Sequence, residues 1–143
     1  VAVELSFWNE CVAVYAIEHN AERLQNLRIN RKKFGVMTNL NVIQGRAPDA
    51  CNDLPLPNKI FIGGSDGEMP IILNQFWQRL PENGLLVASA VTEKTKMQLA
   101  TFAESLSDDQ VESVELAVNK GLMTQGKLSY QSKLPVTLFR FKK

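Results

Sequence analysis

The sequence predicts an α/β fold in which a doubly wound, mostly parallel β-sheet ends in an antiparallel pair of strands. Two observations carry this prediction. From residue 12 to residue 106, strand-like apolar runs alternate with helical segments, which is typical of a parallel sheet covered by helices. After residue 110, two strand-like runs follow with no helix between them. Because parallel neighbours need a crossover, these two runs are expected to pair antiparallel.

The first part of the chain shows one helix, one strand and a second helix. Val1–Cys11 reads as a helix, and Val12–Ile17 is an apolar run without alternation, typical of a strand covered on both faces. Asn20 is placed to cap the next helix, which Gly35 ends. The residues of that helix expected to face inward are Leu24, Leu27 and Phe34.

The strand–helix unit then repeats. Further strands are predicted at Leu40–Gln44, Lys59–Ile62 and Leu85–Ala90. Pro70 opens one helix, and Thr92 caps another that runs from Glu93 to about Leu106. Their expected inward residues are Ile71, Ile72, Phe76 and Leu80 in the first, and Met97, Leu99, Phe102 and Leu106 in the second. The final strands are Val111–Val118 and Val136–Phe141, joined by a Gly-containing loop, Lys120–Pro135.

Composition indicates one domain with a small or medium-sized ligand. The chain has 143 residues, 45% of them hydrophobic, which is enough to bury a core. A formal net charge of +1 disfavours nucleic acid as a partner, since domains that bind phosphate backbones carry an excess of Lys and Arg. No run is long enough to span a membrane and no signal peptide is recognisable, so we expect a cytoplasmic protein without a membrane partner.

The cysteines and the histidine predict no disulfide and no metal site. Cys11 and Cys51 lie in unrelated local contexts without CxxC spacing, and His19 is the one histidine available to complete a metal site.

An acidic residue ends the first predicted strand. Glu18 should emerge at the carboxyl edge of the sheet, where ligands bind in such folds. There a carboxylate accepts hydrogen bonds from ribose hydroxyls, about 20 residues after a glycine-rich turn. Counting back places that turn upstream of Val1, so residues 1–143 are expected to be a single, N-terminally incomplete domain that lacks its first strand and glycine loop. An ordinary solvated carboxylate is the alternative interpretation.

Several segments together resemble one family, the C-terminal methyltransferase domain of precorrin-6Y C5,15-methyltransferases (decarboxylating) and the equivalent stand-alone cobalt-precorrin-6B C15-methyltransferases. The segments are Val14–Arg23, Phe34–Val36, Val42–Ala50, Leu54-Pro55, Ile60–Ser65 and Pro135–Phe139. The resemblance runs over nearly the whole chain. Its most specific part is the Phe-Ile-Gly-Gly-Ser loop, because many class I methyltransferases have an acidic or aromatic residue there.

The resemblance implies a class I, Rossmann-like fold with strand order 3-2-1-4-5-7-6 and S-adenosylmethionine as cofactor. The cofactor-binding residues it implies are Glu18, His19, Gly45, Arg46, Ala47, Gly63 and Gly64. Residues 45–47 would lie along the adenine, His19 near the adenosine, and the paired glycines would form a floor where donor and macrocycle meet. Each glycine could instead simply serve a tight turn. The strand ends near residues 18, 45 and 63 are expected to line one crevice.

The resemblance also implies the reaction and its partners. The family methylates carbon 15 of a precorrin tetrapyrrole and promotes loss of CO₂ from the acetate chain on ring C, in cobalamin biosynthesis. A fused or partner domain methylates carbon 5, and stand-alone relatives suggest a homo-oligomer. Substrate carboxylates would be met by cationic or polar side chains. The candidates are Ser65, Asp66, Lys120, Lys127 and Lys133, with Arg46 a further cation. Solvated lysines and a helix cap by Ser65 or Asp66 are the alternatives.

Three other functions stay open on sequence grounds. The first is a class I methyltransferase with another substrate, and the second is a non-catalytic scaffold that has lost its donor site. A Rossmann dehydrogenase is a more distant third, since a terminal antiparallel pair fits it less well.

Overall fold

The computed structural model describes residues 1–143 and confirms the α/β prediction. The chain divides into two compact units, Val1–Leu54 and Pro55–Lys143, which are described in turn. None of its helices is both long and apolar enough to cross a membrane. Cys11 is exposed and Cys51 is buried, and the two cysteines do not form a disulfide.

The first unit pairs two parallel strands with two helices. Its elements are α1 (Ala2–Trp8), β1 (Val14–Glu18), α2 (Ala21–Lys33), β2 (Leu40–Gln44) and a 3₁₀ turn at Asp49–Cys51. In the β1–β2 ladder Val14 lies opposite Leu40 and Glu18 lies opposite Gln44. The predicted bounds of β2 are confirmed, whereas α1 is shorter than predicted and β1 starts two residues later.

Side-chain hydrogen bonds fix the ends of the helices in this unit. Asn20 caps α2 as predicted, because its Oδ1 accepts from the Arg23 N–H at 3.0 Å. The buried Asn39 donates from Nδ2 to the carbonyls of Ser6 at 2.8 Å and Asn9 at 3.2 Å, which ties the end of α1 to the start of β2. The inward assignment of Phe34 is wrong, since that ring is exposed beyond the end of α2.

The second unit contains a four-stranded sheet, two helices and a separate hairpin. Its elements are β3 (Lys59–Ile62), α3 (Met69–Arg79), β4 (Leu85–Ala90), α4 (Glu93–Ala103), a 3₁₀ turn at Asp108–Gln110, β5 (Val111–Leu116), β6 (Asn119–Thr124), β7 (Lys127–Ser132) and β8 (Val136–Lys142). The strand order is β3-β4-β8-β5, with β3 parallel to β4 and β8 antiparallel to both β4 and β5. The predicted terminal antiparallel pair is therefore confirmed.

One face of this sheet carries the core of the second unit. The buried side chains of α3, β4, α4 and β8 supply it: Met69, Ile72, Leu73, Phe76, Leu80, Leu86, Ala88, Ala90, Leu99, Phe139 and Phe141. The Phe102 ring meets Phe141 edge-on at 5.0 Å and Trp77 at 5.6 Å. The predicted inward positions of Ile71 and Met97 are wrong, because both side chains are exposed. In α3, Met69 and Leu73 are buried instead.

The prediction of a loop at Lys120–Pro135 is wrong. β6 and β7 form an antiparallel hairpin in which Thr124 lies opposite Lys127. Its turn residues, Gln125 and Gly126, both have positive φ, at 50° and 75°, which is the backbone that tight two-residue hairpin turns require. All side chains of the hairpin are exposed, so its apolar residues add nothing to the core of the unit.

A polar network joins α4 to the sheet beside this hairpin. Lys96 Nζ lies 2.5 Å from Glu115 Oε2, which also accepts from the Thr137 hydroxyl at 3.0 Å. The hydrogen bond from Lys96 lowers the pKa of Glu115, and the same bond raises the pKa of Lys96. Both groups are exposed, so the network contributes little to stability.

Candidate functional site

Glu18 is the last residue of β1, and one of its two carboxylate oxygens accepts a hydrogen bond. Its Oε1 accepts from the Asn20 N–H at 2.8 Å and lies 3.5 Å from His19 Nδ1. Oε2 makes no hydrogen bond within the chain, and the side chain is only partly buried. The carboxylate is thus held by the start of α2 while one oxygen stays open to an outside donor.

Gly45 lies beside Glu18, because β1 and β2 are parallel and end together. Its N–H donates to the Glu18 carbonyl at 3.2 Å, one step beyond the Glu18–Gln44 pair. Arg46 follows with an exposed side chain, and Ala47 is half-buried. The structure therefore brings Glu18, His19 and residues 45–47 together at one end of the two-stranded sheet.

Gly45 also has a packing role. A Cβ at this position would lie 2.6 Å from the Cβ of Ala50, which belongs to the 3₁₀ turn after β2. Real carbon atoms do not approach so closely, so the fold itself requires glycine here. This clash is a packing reason for glycine, and it is separate from the unusual backbone angle on which the alternative interpretation of Gly45 rests.

Gly63 and Gly64 follow β3 in the second unit, and both are exposed. A Cβ at Gly64 would meet no atom within 4 Å, whereas one at Gly63 would lie 3.2 Å from the Phe61 ring. Gly64 therefore borders open space that is not filled by the chain. Whether these glycines share one crevice with Glu18 and Gly45 stays a prediction.

Ser65 and Asp66 do not cap α3 in the predicted way. Glu68 immediately precedes the helix, and no side chain provides its N-terminal cap. The turn is closed by the backbone instead, with the Glu68 N–H donating to the Ser65 carbonyl at 2.8 Å. Asp66 has a φ of 47°, and its side chain is exposed. A role for the two residues in substrate binding stays a prediction.

The three predicted lysines divide into a pair and a single residue. Lys120 and Lys133 line one cavity of about 600 Å³, together with Asn119 and five apolar side chains: Leu116, Val118, Leu134, Val136 and Leu138. Lys127 does not line it, because it lies at the turn end of the hairpin, opposite Thr124. Sequence reasoning missed the apolar lining. A sequence signal was present only for the positive charge of this region, since residues 116–143 contain no Asp or Glu.

No group of three or more His, Cys, Asp or Glu side chains is arranged to hold a metal ion. In the first unit the end of β1 presents an open carboxylate oxygen at Glu18, and in the second unit the end of β3 presents two exposed glycines.

Comparison with known proteins identifies the same family as the sequence segments. The family model described as "Precorrin methyltransferase domain" matches residues 1–143. A protein of Pyrobaculum calidifontis, named a probable cobalt-precorrin-6B C(15)-methyltransferase (decarboxylating), is 32% identical over 105 residues, which is 73% of this chain and 53% of that protein. The chain thus spans about half the length of this curated relative.

Solved structures agree with this result. The precorrin-6Y C5,15-methyltransferase of Geobacter metallireducens has a TM-score of 0.78 and 31% identity, over 92% of this chain and 68% of that chain. The precorrin 8W decarboxylase of Methanobacterium thermoautotrophicum has a TM-score of 0.79 and 27% identity, over 92% and 70%. Since the family model covers every residue, this chain belongs to the precorrin methyltransferase domain family.

Proposed function

We propose that the protein is an S-adenosylmethionine-dependent methyltransferase that methylates carbon 15 of a precorrin macrocycle. The reaction would include loss of the ring C acetate carboxyl group, in cobalamin biosynthesis. Family membership and the names of the relatives support this proposal. The structural observation that carries it is Glu18, a carboxylate with one open oxygen at the carboxyl end of a parallel strand.

The chain's residues fit the cofactor in two places. Glu18 Oε2 is open to accept a hydrogen bond from a ribose hydroxyl, while Oε1 stays fixed by the Asn20 N–H. Gly64 borders space that a side chain would fill, which suits close approach of the reacting groups. When bound, S-adenosylmethionine supplies an electrophilic methyl group on a positively charged sulfur.

The protein's own contribution would then be mainly positioning. An electron-rich ring carbon forms the new bond to the methyl group as the methyl–sulfur bond breaks and its electron pair stays on sulfur. Methyl transfer needs no proton from the protein, so holding the reactants in line can provide much of its rate gain. Loss of CO₂ from the acetate chain leaves an electron pair on the side-chain carbon, which takes up a proton from solvent to give a methyl group. The exposed lysines would orient the macrocycle through its carboxylates.

We further propose that the domain includes a first strand and a glycine loop upstream of the residues described. The support is that β1 pairs with β2 alone and β3 pairs with β4 alone, so each strand has one open edge. In the strand order that the resemblance implies, both edges adjoin the family's first strand. Unpaired backbone groups at such edges are unfavourable when they are buried.

Self-association and a C5-methyltransferase partner also belong to this proposal. One face of the β6–β7 hairpin presents Met123, Leu128 and Tyr130, all exposed. Contact with another copy of the chain would remove this apolar sheet face from water, which is favourable. A fused or separate domain that methylates carbon 5 is proposed from the resemblance and from the name of the Geobacter relative.

The decisive experiment is a calorimetric titration with S-adenosylhomocysteine. We expect a chain extended upstream by the first strand and glycine loop to bind, and the 143-residue chain to bind weakly or not at all. Binding by neither would favour the alternative function of a non-catalytic scaffold and would overturn the enzyme proposal.

Substitution of Glu18 tests the ribose contact in the extended chain. Glu18→Ala should weaken S-adenosylhomocysteine binding by about tenfold, as expected for loss of a hydrogen bond to a charged group. Glu22→Ala is the matched control, because Glu22 is an exposed carboxylate in the first turn of α2. Equal affinities for Glu18→Ala and the unsubstituted chain would refute the ribose assignment.

A further inference from the structure

A cavity of about 600 Å³, here called the lysine groove, opens at the carboxyl edge of the four-stranded sheet. Its lining residues are Leu116, Val118, Asn119, Lys120, Lys133, Leu134, Val136 and Leu138. They come from the end of β5, the base of the β6–β7 hairpin and the start of β8. The Lys133 N–H donates to the Val118 carbonyl at 2.9 Å and closes the base of the hairpin beside the groove. The depression is open to solvent, and five of its eight lining residues are apolar.

The groove combines an apolar surface with unpaired positive charge. Leu116, Val118 and Leu134 are exposed large apolar side chains, and no Asp or Glu lines the groove. The ammonium groups of Lys120 and Lys133 make neither an ion pair nor a hydrogen bond. Exposed apolar surface next to unpartnered cations fits a ligand that is itself apolar with carboxylates at its edge.

The charge around the groove has one sign over a long stretch of chain. Residues 116–143 contain no Asp or Glu, so the hairpin and β8 carry cations only. Arg140 pairs with Glu112 at 2.6 Å, and Lys143 donates to the Trp77 carbonyl at 2.8 Å, so these cations are already engaged. The cations at the groove are not engaged. Lys127 and Lys142 are not engaged either, so the groove is distinguished by having two such cations beside an apolar surface.

The groove lies at the same sheet edge as Gly63 and Gly64. The strand order β3-β4-β8-β5 puts three strand spacings, about 14 Å, between the end of β3 and the end of β5. The carboxyl end of β3, the Ala90–Thr137 pair and the Leu116–Val136 pair all lie along this edge. A ligand that contacts both the glycines and the groove must therefore span about three strand spacings.

We propose that the lysine groove binds the carboxylate-bearing edge of a flat tetrapyrrole. The ring edge and its aliphatic side chains contact Leu116, Val118 and Leu134, while Lys120 and Lys133 each donate to a carboxylate. Lys127, at the far end of the hairpin, contributes little. This inference rests on the proposed function, because it assigns one end of the substrate of that reaction.

The test uses uroporphyrin, a stable tetrapyrrole with carboxylate side chains, and the full protein including its upstream part. Binding is followed by porphyrin fluorescence at several salt concentrations. Lys120→Gln combined with Lys133→Gln should weaken binding by about tenfold and flatten its salt dependence. Leu134→Ser should weaken it several-fold with the salt dependence kept, since the groove loses apolar contact but no charge.

The matched control is Lys59→Gln combined with Lys142→Gln. These exposed lysines lie near the opposite edge of the same sheet, where Lys59 and Lys142 are both paired with Leu85 in the β3–β4 and β4–β8 ladders. The control removes the same amount of positive charge but away from the groove. The porphyrin affinity of this variant should therefore stay within about twofold of that of the unsubstituted protein. Thermal unfolding of every variant checks that the fold is kept.

Three results would overturn the inference. These are unchanged porphyrin affinity in the groove variants, an equal loss in the control, and dissociation of an oligomer by the groove substitutions with porphyrin binding unchanged. The last result would assign the groove to a second copy of the chain. An S-adenosylhomocysteine titration on the same samples separates the two proposals. If that ligand binds the unsubstituted protein, only the groove assignment fails, and if it does not bind, the proposed function fails.

Discussion

Two glycine turns at the carboxyl ends of strands, one after β2 and one after β3, have the same appearance in the sequence but different surroundings. At Gly45 a Cβ would lie 2.6 Å from the Cβ of Ala50, so the chain itself occupies the space. At Gly64 a Cβ would meet nothing within 4 Å. A glycine at a strand end is therefore not by itself a sign of ligand approach. Gly45 is explained by packing, and Gly64 is left for a function.

The largest expected effect is on folding, at Gly45. Gly45→Ala should lower the free energy of unfolding by about 1–3 kcal/mol, the usual cost of inserting a methyl group into filled space. The measurement is urea denaturation followed by circular dichroism.

The companion variant Ala50→Gly removes the atom that the new methyl group would strike. The double variant should therefore be more stable than the sum of the two single changes predicts, with a coupling of about 1 kcal/mol. Additive effects would show that the cost of Gly45→Ala does not come from contact with Ala50, and the packing explanation of Gly45 would be refuted.

A smaller effect is expected at Gly126, where the backbone and not the space requires glycine. Gly126 has a φ of 75° with no atom within 4 Å of a Cβ, so Gly126→Ala should cost about 1 kcal/mol in the hairpin alone. Amide hydrogen exchange of β6 and β7 should speed up while exchange in β4 stays unchanged. Gly121→Ala is the control, because a Cβ there meets Leu128 at an ordinary 3.4 Å. Equal exchange rates in both variants would contradict the backbone explanation.

The sequence predicted the short apolar strands better than the hairpin and the helix faces. The bounds of β2, β3 and β4 agree with the structure, because a short apolar run between turn residues indicates a strand even where, as in β3, part of it is exposed. The β6–β7 hairpin was missed, because its one alternating run, Leu128 to Gln131, is short and neither face of the hairpin is buried. Ile71 and Met97 were misplaced for a related reason: apolar residues on a helix are not all turned to the core.

The candidate site was predictable only in its local part. Glu18 and Gly45 could be placed together because parallel strands that pair in register end together. The contact between Gly45 and Ala50 depends on a 3₁₀ turn that no residue pattern in the sequence predicts. The lysine groove is assembled from three segments between residues 116 and 138, so its apolar lining follows from tertiary structure and not from any one motif.

The smallest effect on folding and the sharpest test of function are expected at Gly64. Its φ lies outside the left-handed region and its Cβ position is open, so Gly64→Ala should leave the free energy of unfolding within about 0.5 kcal/mol or raise it slightly. If the reacting groups approach this backbone as proposed, the methyl group should weaken S-adenosylhomocysteine binding or slow methyl transfer on the order of tenfold. Calorimetry and a methyl-transfer assay on the upstream-extended chain measure the two quantities separately. A stable Gly64→Ala variant with unchanged affinity and unchanged rate would mean that only solvent occupies the space beside Gly64. The proposed role of Gly64 in ligand approach would then be refuted.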